Sequence, residues 1–129
     1  MTLEFILTEI ISASPEEIFQ AWLDSEKHSK MTGGKAIISD QEGESFSAWD
    51  GYILGRNLKL HPDHQIIQEW RTTEFEESDP DSLLKISLIP EGRSTRITIE
   101  HSNLPAHGQQ YKQGWIDAYL TPMSEFFST

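Results

Sequence analysis

The stretch from Gly108 to Phe127, GQQYKQGWIDAYLTPMSEFF, places the strongest demand on the fold. Tyr111, Trp115, Tyr119 and Phe126 recur at helical spacing and share one stripe, which Ile116, Leu120, Met123 and Phe127 widen. A helix of that length runs ~28 Å at ~1.5 Å per residue, about the span of a small domain. So broad an apolar face must be covered by the rest of the chain. Pro122 falls within it, where the missing amide proton removes a bond to residue 118 and predicts a bend.

The upstream chain reads as the cover. Leu3 to Ile11 is a strand with apolar residues on both faces, Leu3, Phe5 and Leu7 on one and Ile6 and Ile10 on the other. Ser14-Pro15-Glu16-Glu17 is a helix start: Ser14 caps, Pro15 suits the first position, and Glu17 completes a capping box. Ile18, Phe19, Trp22 and Leu23 form that helix's apolar face. Asp24-Ser25 restarts a short second helix, which Thr32-Gly33-Gly34 ends.

Strands are then expected at 35–39, 44–49, 52–60, 65–75, 83–89 and 95–102, separated by turns such as Asp50-Gly51 and His61-Pro62-Asp63-His64. Gly55 marks a bulge or a close backbone approach. Leu84, Ile86 and Leu88, then Ile97, Ile99 and His101, alternate inward. Short turns between consecutive strands imply an antiparallel meander. The expected class is α+β: a curved antiparallel sheet wrapped around a long C-terminal helix, with two short helices after the first strand.

A chain of 129 residues is most simply one domain spanning 1–129, and its 36% hydrophobic and 24% charged residues are ordinary globular values. The N-terminal LEFILTEII is interrupted by Glu4 and Glu9 and reads as neither leader nor membrane span. The absence of cysteine removes disulfides and thiolate chemistry and fits a cytoplasmic protein. A net charge of −11 argues against nucleic acid and anionic membranes as partners, since both need cations on the protein.

Three blocks in order carry a family resemblance: PEEIFQAWLDSEKHSKMTGG, SFSAWDGYILGRNLKLHPDHQIIQEWR, and TRITIEHSNLP followed by QGW. Together they resemble the family named for the activator of Hsp90 ATPase, within the START-like (SRPBCC) superfamily. The resemblance implies a helix-grip fold with a cavity between sheet and last helix, which in the superfamily commonly takes lipids, sterols, polyketides or other apolar molecules. It also implies structural roles for Asp50-Gly51, Trp70 and Gly114-Trp115. Many relatives carry histidine one turn before the tryptophan, where this chain has Tyr111. The eukaryotic namesake contacts Hsp90 and carries an additional N-terminal domain, which this chain, starting at its first strand, is expected to lack.

The candidate ligand wall is Trp70, Ile86, Leu88, Ile97, Ile99, Tyr111, Trp115 and Tyr119, with Gln68 and His101 as polar contacts. Trp115 and Phe126 read first as plain core, since aromatic stripes at helical spacing more often pack than line a pocket. Tyr111 and Tyr119 are the residues to meet a ligand's polar end, because a buried phenol needs a partner. An inward His101 is either a satisfied core histidine or a general acid/base, and no second catalytic group accompanies it. No catalytic residue, metal or cofactor is assigned: His61 and His64 lack a third ligand, and Gly33-Gly34 lacks the context of a phosphate loop. The acidic run Glu74 to Asp81 reads as an exposed loop, with docking of a basic partner as its functional alternative.

The leading expectation is a non-enzymatic protein, monomer or homodimer, that binds a hydrophobic small molecule between helix and sheet. The alternatives are an Hsp90-type chaperone-associated module and a cyclase- or hydrolase-like enzyme centred on His101.

Overall fold

The computed structural model describes residues 2–128. Its sheet has six strands in the order β1-β6-β5-β4-β3-β2, every neighbouring pair antiparallel. In chain order these are β1 (Thr2–Ile11), β2 (Ser45–Ala48), β3 (Ile53–His61), β4 (Gln65–Thr72), β5 (Ser82–Glu91) and β6 (Ser94–Pro105). Helices α1 (Pro15–Leu23) and α2 (Ser25–Thr32) follow β1. The last helix runs as α3 (Gln110–Trp115), a π-helical turn (Ile116–Leu120) and α4 (Thr121–Phe127). This is the helix-grip arrangement, with a curved sheet closed over its C-terminal helix.

Local chemistry accounts for the helix starts. Ser14 Oγ accepts from Glu17 N at 3.1 Å while the Glu17 carboxylate accepts from Ser14 N at 3.1 Å, a complete capping box worth about 1 kcal/mol. Asp24 caps α2 through Lys27 N, and Gly33 ends it at φ 89°, a conformation costly for any residue with a β-carbon. The register across β4, β5, β6 and β1 aligns Ile66, Ile86, Ile99 and Leu7 in one inward row and Gln68, Leu84, His101 and Phe5 in the next. The ambiguity of β1 is thereby resolved: Leu3, Phe5 and Leu7 turn inward, leaving Ile6 63% and Ile10 45% exposed.

Three expectations are corrected and one open alternative is decided. Residues 35–39 form no strand; only a bridge between Ile37 and Ser47 forms there. Hydroxyls of α2 take the backbone groups that a ladder would use, since Ser29 Oγ accepts from Ala36 N and Ser25 Oγ from Ile38 N, both at 2.8 Å. The β4 strand stops at Thr72, short of Phe75, which instead folds back into the core. Of the two readings of Gly55, the close approach is the one that holds: a β-carbon there would lie 2.1 Å from Glu69 O and 2.5 Å from the Phe46 ring. The register shift of β3 lies between Asn57 and Lys59.

The third correction concerns the last helix. Proline 122 has no amide proton, and the chain answers with a π turn whose Thr121 N donates to Ile116 O, placing Pro122 in the first turn of α4. The extra residue rotates everything beyond it by about one position. Met123 therefore turns fully inward, and Phe126, expected on the Trp115 stripe, is 42% exposed.

Candidate binding cleft under the last helix

Tyr111, Trp115 and Tyr119 lie one turn apart on the inward face, and each fixes the helix to a different element through its polar atom. The Tyr111 hydroxyl bonds Thr72 Oγ1 at the end of β4. Trp115 Nε1 donates to His101 Nδ1 on β6 at 2.9 Å, and Tyr119 OH meets His28 Nε2 on α2 at 3.1 Å. Trp22 of α1 stacks on Trp115 and Tyr119, with ring centroids 6.1 and 5.0 Å away. Trp70 packs edge-on to His101 and Tyr111.

These bonds determine the histidine tautomers. An indole only donates, so His101 Nδ1 is the acceptor and the ring proton sits on Nε2. Nε2 then donates to Ser82 Oγ at 2.8 Å, and Ser82 Oγ donates to Trp70 O at 2.6 Å. His28 is held the opposite way: Nδ1 donates to the Trp22 carbonyl at 2.8 Å, leaving Nε2 to accept from Tyr119. Burial holds His101 neutral, its pKa lowered to about 3, and burial likewise lowers that of His28, partly opposed by the Trp22 carbonyl. Burial raises the pKa of the Tyr119 phenol.

The Ser82–His101 pair has the separation of a nucleophile–base dyad but the reverse polarity. The imidazole gives its proton to the serine, its other nitrogen faces an indole and not a carboxylate, and the serine proton goes to a backbone carbonyl. A base cannot withdraw a proton under these conditions. The chain of bonds is a strut.

Beside this strut lies a cleft of about 340 Å³. It is lined by Trp70 and the helix residues Tyr111, Gly114, Trp115, Ala118 and Tyr119. It is also lined by Trp49 and Tyr52 of the turn joining β2 to β3 and by Ile53 at the start of β3. Trp49, Asp50 and Gly51 in that turn take φ of 51°, 59° and 90°, three consecutive left-handed residues of which glycine and aspartate suit the conformation and the tryptophan does not. The Trp49 ring lies over Gly34, where a β-carbon would come within 2.4 Å of Cε3.

The polar atoms around the cleft are largely committed: Tyr111, Trp115 and Tyr119 as above, and the Tyr52 hydroxyl to the Glu74 carboxylate. Burial and that carboxylate raise the Tyr52 pKa. Trp49 Nε1 differs. It is buried and has no partner, and among the described residues no other buried side-chain nitrogen or oxygen is in that position. An unpartnered buried donor costs about 1–3 kcal/mol.

Of the sequence-derived site residues, the structure brings Trp70, Tyr111, Trp115 and Tyr119 together around the cleft. Ile86, Leu88, Ile97 and Ile99 do not border it; they are packed core at no more than 2% exposure. His101 lies behind Trp115 in the strut. Gln68 donates to Asn57 Oδ1, and Asn57 Nδ2 reaches Ser39 O and Gln41 O, so this polar pair anchors the loop before β2. Trp49, Tyr52, Ile53, Gly114 and Ala118 border the cleft without having been singled out as ligand wall. A signal existed for Gly114, since glycine inside an aromatic stripe leaves room, and for Trp49, which adjoins the Asp50-Gly51 turn. His28 shares an inward face with Met31 and Thr32, a spacing readable in SEKHSKMT.

Elsewhere, Arg71 organises the acidic loop, its guanidinium donating to Asp79 O, Asp81 Oδ1 and Glu76 O. Among the described residues no group of three or more histidines and carboxylates could hold a metal ion, and no helix is long and apolar enough to cross a membrane.

A family model for activator of Hsp90 ATPase homolog 1-like proteins matches residues 12–127. The human activator of 90 kDa heat shock protein ATPase homolog 1 is 24% identical over 127 residues, covering 98% of this chain. The chain spans only 37% of that relative's length. The crystal structure of an Hsp90 activator from Plasmodium falciparum superposes with a TM-score of 0.88 at 25% identity, covering 96% of this chain and 95% of that one. CalU16 from Micromonospora echinospora superposes at 0.81 with 23% identity, covering 97% and 76%, and shares the fold.

Proposed function

The chain belongs to the activator of Hsp90 ATPase homologue 1-like family, and from that membership and the cleft we propose that it is a binding module for a compact apolar or amphipathic molecule. The observation that carries this reading is the cleft itself. A half-open cleft of about 340 Å³ walled by tryptophans and tyrosines lies at the lower end of the ~300–1,000 Å³ typical of ligand sites and has their mostly apolar, aromatic lining. The strut supports the reading by holding the helix wall rigid with or without an occupant. Native mass spectrometry of gently purified protein, with titration of 1-aminoanthracene and a dansylated fatty acid, tests it. A clean apo mass together with no binding of either probe would end the reading.

A second reading, a module that engages an Hsp90-type chaperone, has equal support. It rests on the human relative and on the P. falciparum activator, whose chain is matched over almost its whole length. Saturating protein should then change the ATP turnover of an Hsp90-type chaperone and be retained on it in a pull-down. Unchanged turnover at saturation removes this reading and leaves the first intact.

A further inference from the structure

Strand β1 ends the sheet, pairing with β6 on one side and with no described residue on the other. One bond fixes which of its backbone groups face the free side. Ile10 N donates to the carboxylate of its own neighbour Glu9 at 2.9 Å, so it points away from β6. Residues of an antiparallel strand alternate between bonding their neighbour and facing away, and the register from Phe5 to Ile11 is unbroken. The N–H and C=O groups of Ile6 and Thr8 therefore face outward with those of Ile10. Glu9 covers only the last of these donors.

An open edge templates another strand unless its sequence blunts it. The ten residues of β1 include no proline and no lysine, their one register shift lies near the start, between Leu3 and Phe5, and Ile6 and Ile10 stand exposed. The charges of the strand are Glu4 and Glu9, which repel an acidic strand and admit a basic one. Beside the edge is a groove of about 310 Å³, lined by β1 and the last helix together. Leu7, Ile116 and Leu120 give it apolar surface, Glu9 and Glu125 give it negative charge, and no lysine or arginine is among its lining residues. A second copy of this chain fits poorly there, because each copy has a net charge of −11 and brings its own Glu4, Glu9 and Glu125 to the junction.

We infer that the free edge of β1 and its groove accept an extended segment of a partner protein, with side chains alternating between apolar and basic, as an added strand. Backbone groups of Ile6 and Thr8 supply the ladder bonds, which give affinity without regard to sequence. The apolar side chains of the segment turn inward with Leu7 and cover Ile116 and Leu120. Its lysines or arginines reach the carboxylates of Glu9 and Glu125, and this charge match selects the partner. The groove shares no lining residue with the aromatic cleft, so the two sites can be tested separately.

Fluorescence anisotropy with the labelled peptide Lys-Val-Lys-Val-Lys-Val-Lys tests the inference. The wild-type protein should bind it about tenfold more tightly than Lys-Lys-Lys-Lys-Val-Val-Val, which has the same charge and composition but no apolar face as a strand. The same peptide with glutamate for lysine should not bind. Thr8→Pro removes an outward N–H that the fold leaves unused, and proline is tolerated on edge strands, so the variant should stay folded and lose binding about tenfold. Glu125→Lys should weaken binding and reduce its salt dependence. Should Thr8→Pro fold poorly, two peptides N-methylated on alternate amides decide the matter with the wild-type protein: the one keeping the edge-facing amides should bind and the other should not. Equal binding of the alternating and block peptides, equal binding of the two N-methylated peptides, or affinity that survives in folded Thr8→Pro overturns the inference. A homodimer in sedimentation equilibrium that Thr8→Pro dissociates also overturns it, because a second copy then occupies the edge.

Discussion

Trp115 Nε1 donates to His101 Nδ1 at 2.9 Å, so an indole on the last helix dictates where a strand histidine keeps its proton. Everything downstream of that bond follows in one direction, through Ser82 to the Trp70 carbonyl. The helix is thus joined to β6, β5 and β4 by a line of neutral hydrogen bonds with no charge to desolvate.

That neutrality makes stability depend on pH. The His101 imidazole takes a proton near pH 6.5 when unfolded and only near pH 3 when folded, because burial opposes the charge. Between those values the unfolded chain binds the extra proton, so stability is lost as pH falls from about 6.5 towards 3. The effect is of order 3–5 kcal/mol at most. His101→Gln can accept from Trp115 and donate to Ser82 without titrating, and it should flatten this part of the profile. Urea unfolding of both proteins from pH 7 to 4 provides the measurement, and parallel curves would refute the account.

A second bond of the same kind joins Tyr119 to His28 and can be isolated. Tyr119→Phe keeps the stack on Trp22 and leaves His28 Nε2 without its donor, for a loss of about 1–2 kcal/mol. A double-mutant cycle with His28→Leu should show a coupling near 1 kcal/mol. Strictly additive losses would mean that the bond contributes nothing.

What could be read from the sequence was whatever is decided locally. The Ser14 capping box, the restart at Asp24 and the inward alternation of Ile97, Ile99 and His101 need only neighbours along the chain. The wall formed by Trp70, Tyr111, Trp115 and Tyr119 was legible for the same reason. What escaped depends on competition between distant groups. Residues 35–39 have strand-like composition, but two serines of α2 claim their amides first. An inward residue can face another side chain or a void, and alternation does not distinguish them; Ile86 and Trp70 look alike on paper and differ only once the helix is laid over them. His101 is legible in the sequence as an odd polar residue on an apolar face, but its role as a strut depends on partners far apart in the chain, Ser82, Trp70 and Trp115.

The phase of the last helix supplies a third prediction. Met123 and Phe126 are both apolar on a helical stripe, yet the π turn before Pro122 sends one inward and the other out. Met123→Ala should lose about 3 kcal/mol, as expected for a fully buried side chain. Phe126→Ser should change stability by no more than about 0.5 kcal/mol. A reversed order in thermal or urea unfolding would show that the helix continues through Pro122 without the extra residue.

Gly114 offers the most direct control over the cleft. It lies in α3 on the cavity wall, and a β-carbon placed there meets no atom within 4 Å. Glycine inside a helix is about 1 kcal/mol less favourable than alanine, so Gly114→Ala should stabilise the protein by up to that amount. A larger side chain then uses the same opening differently. Gly114→Phe projects a ring into the space that a ligand would occupy, and it should abolish binding of 1-aminoanthracene while keeping the wild-type melting temperature within a few degrees. Chaperone engagement, if it uses another face of the molecule, should survive the substitution. A Gly114→Phe variant that still binds the probe with wild-type affinity would show that the occupied site lies elsewhere.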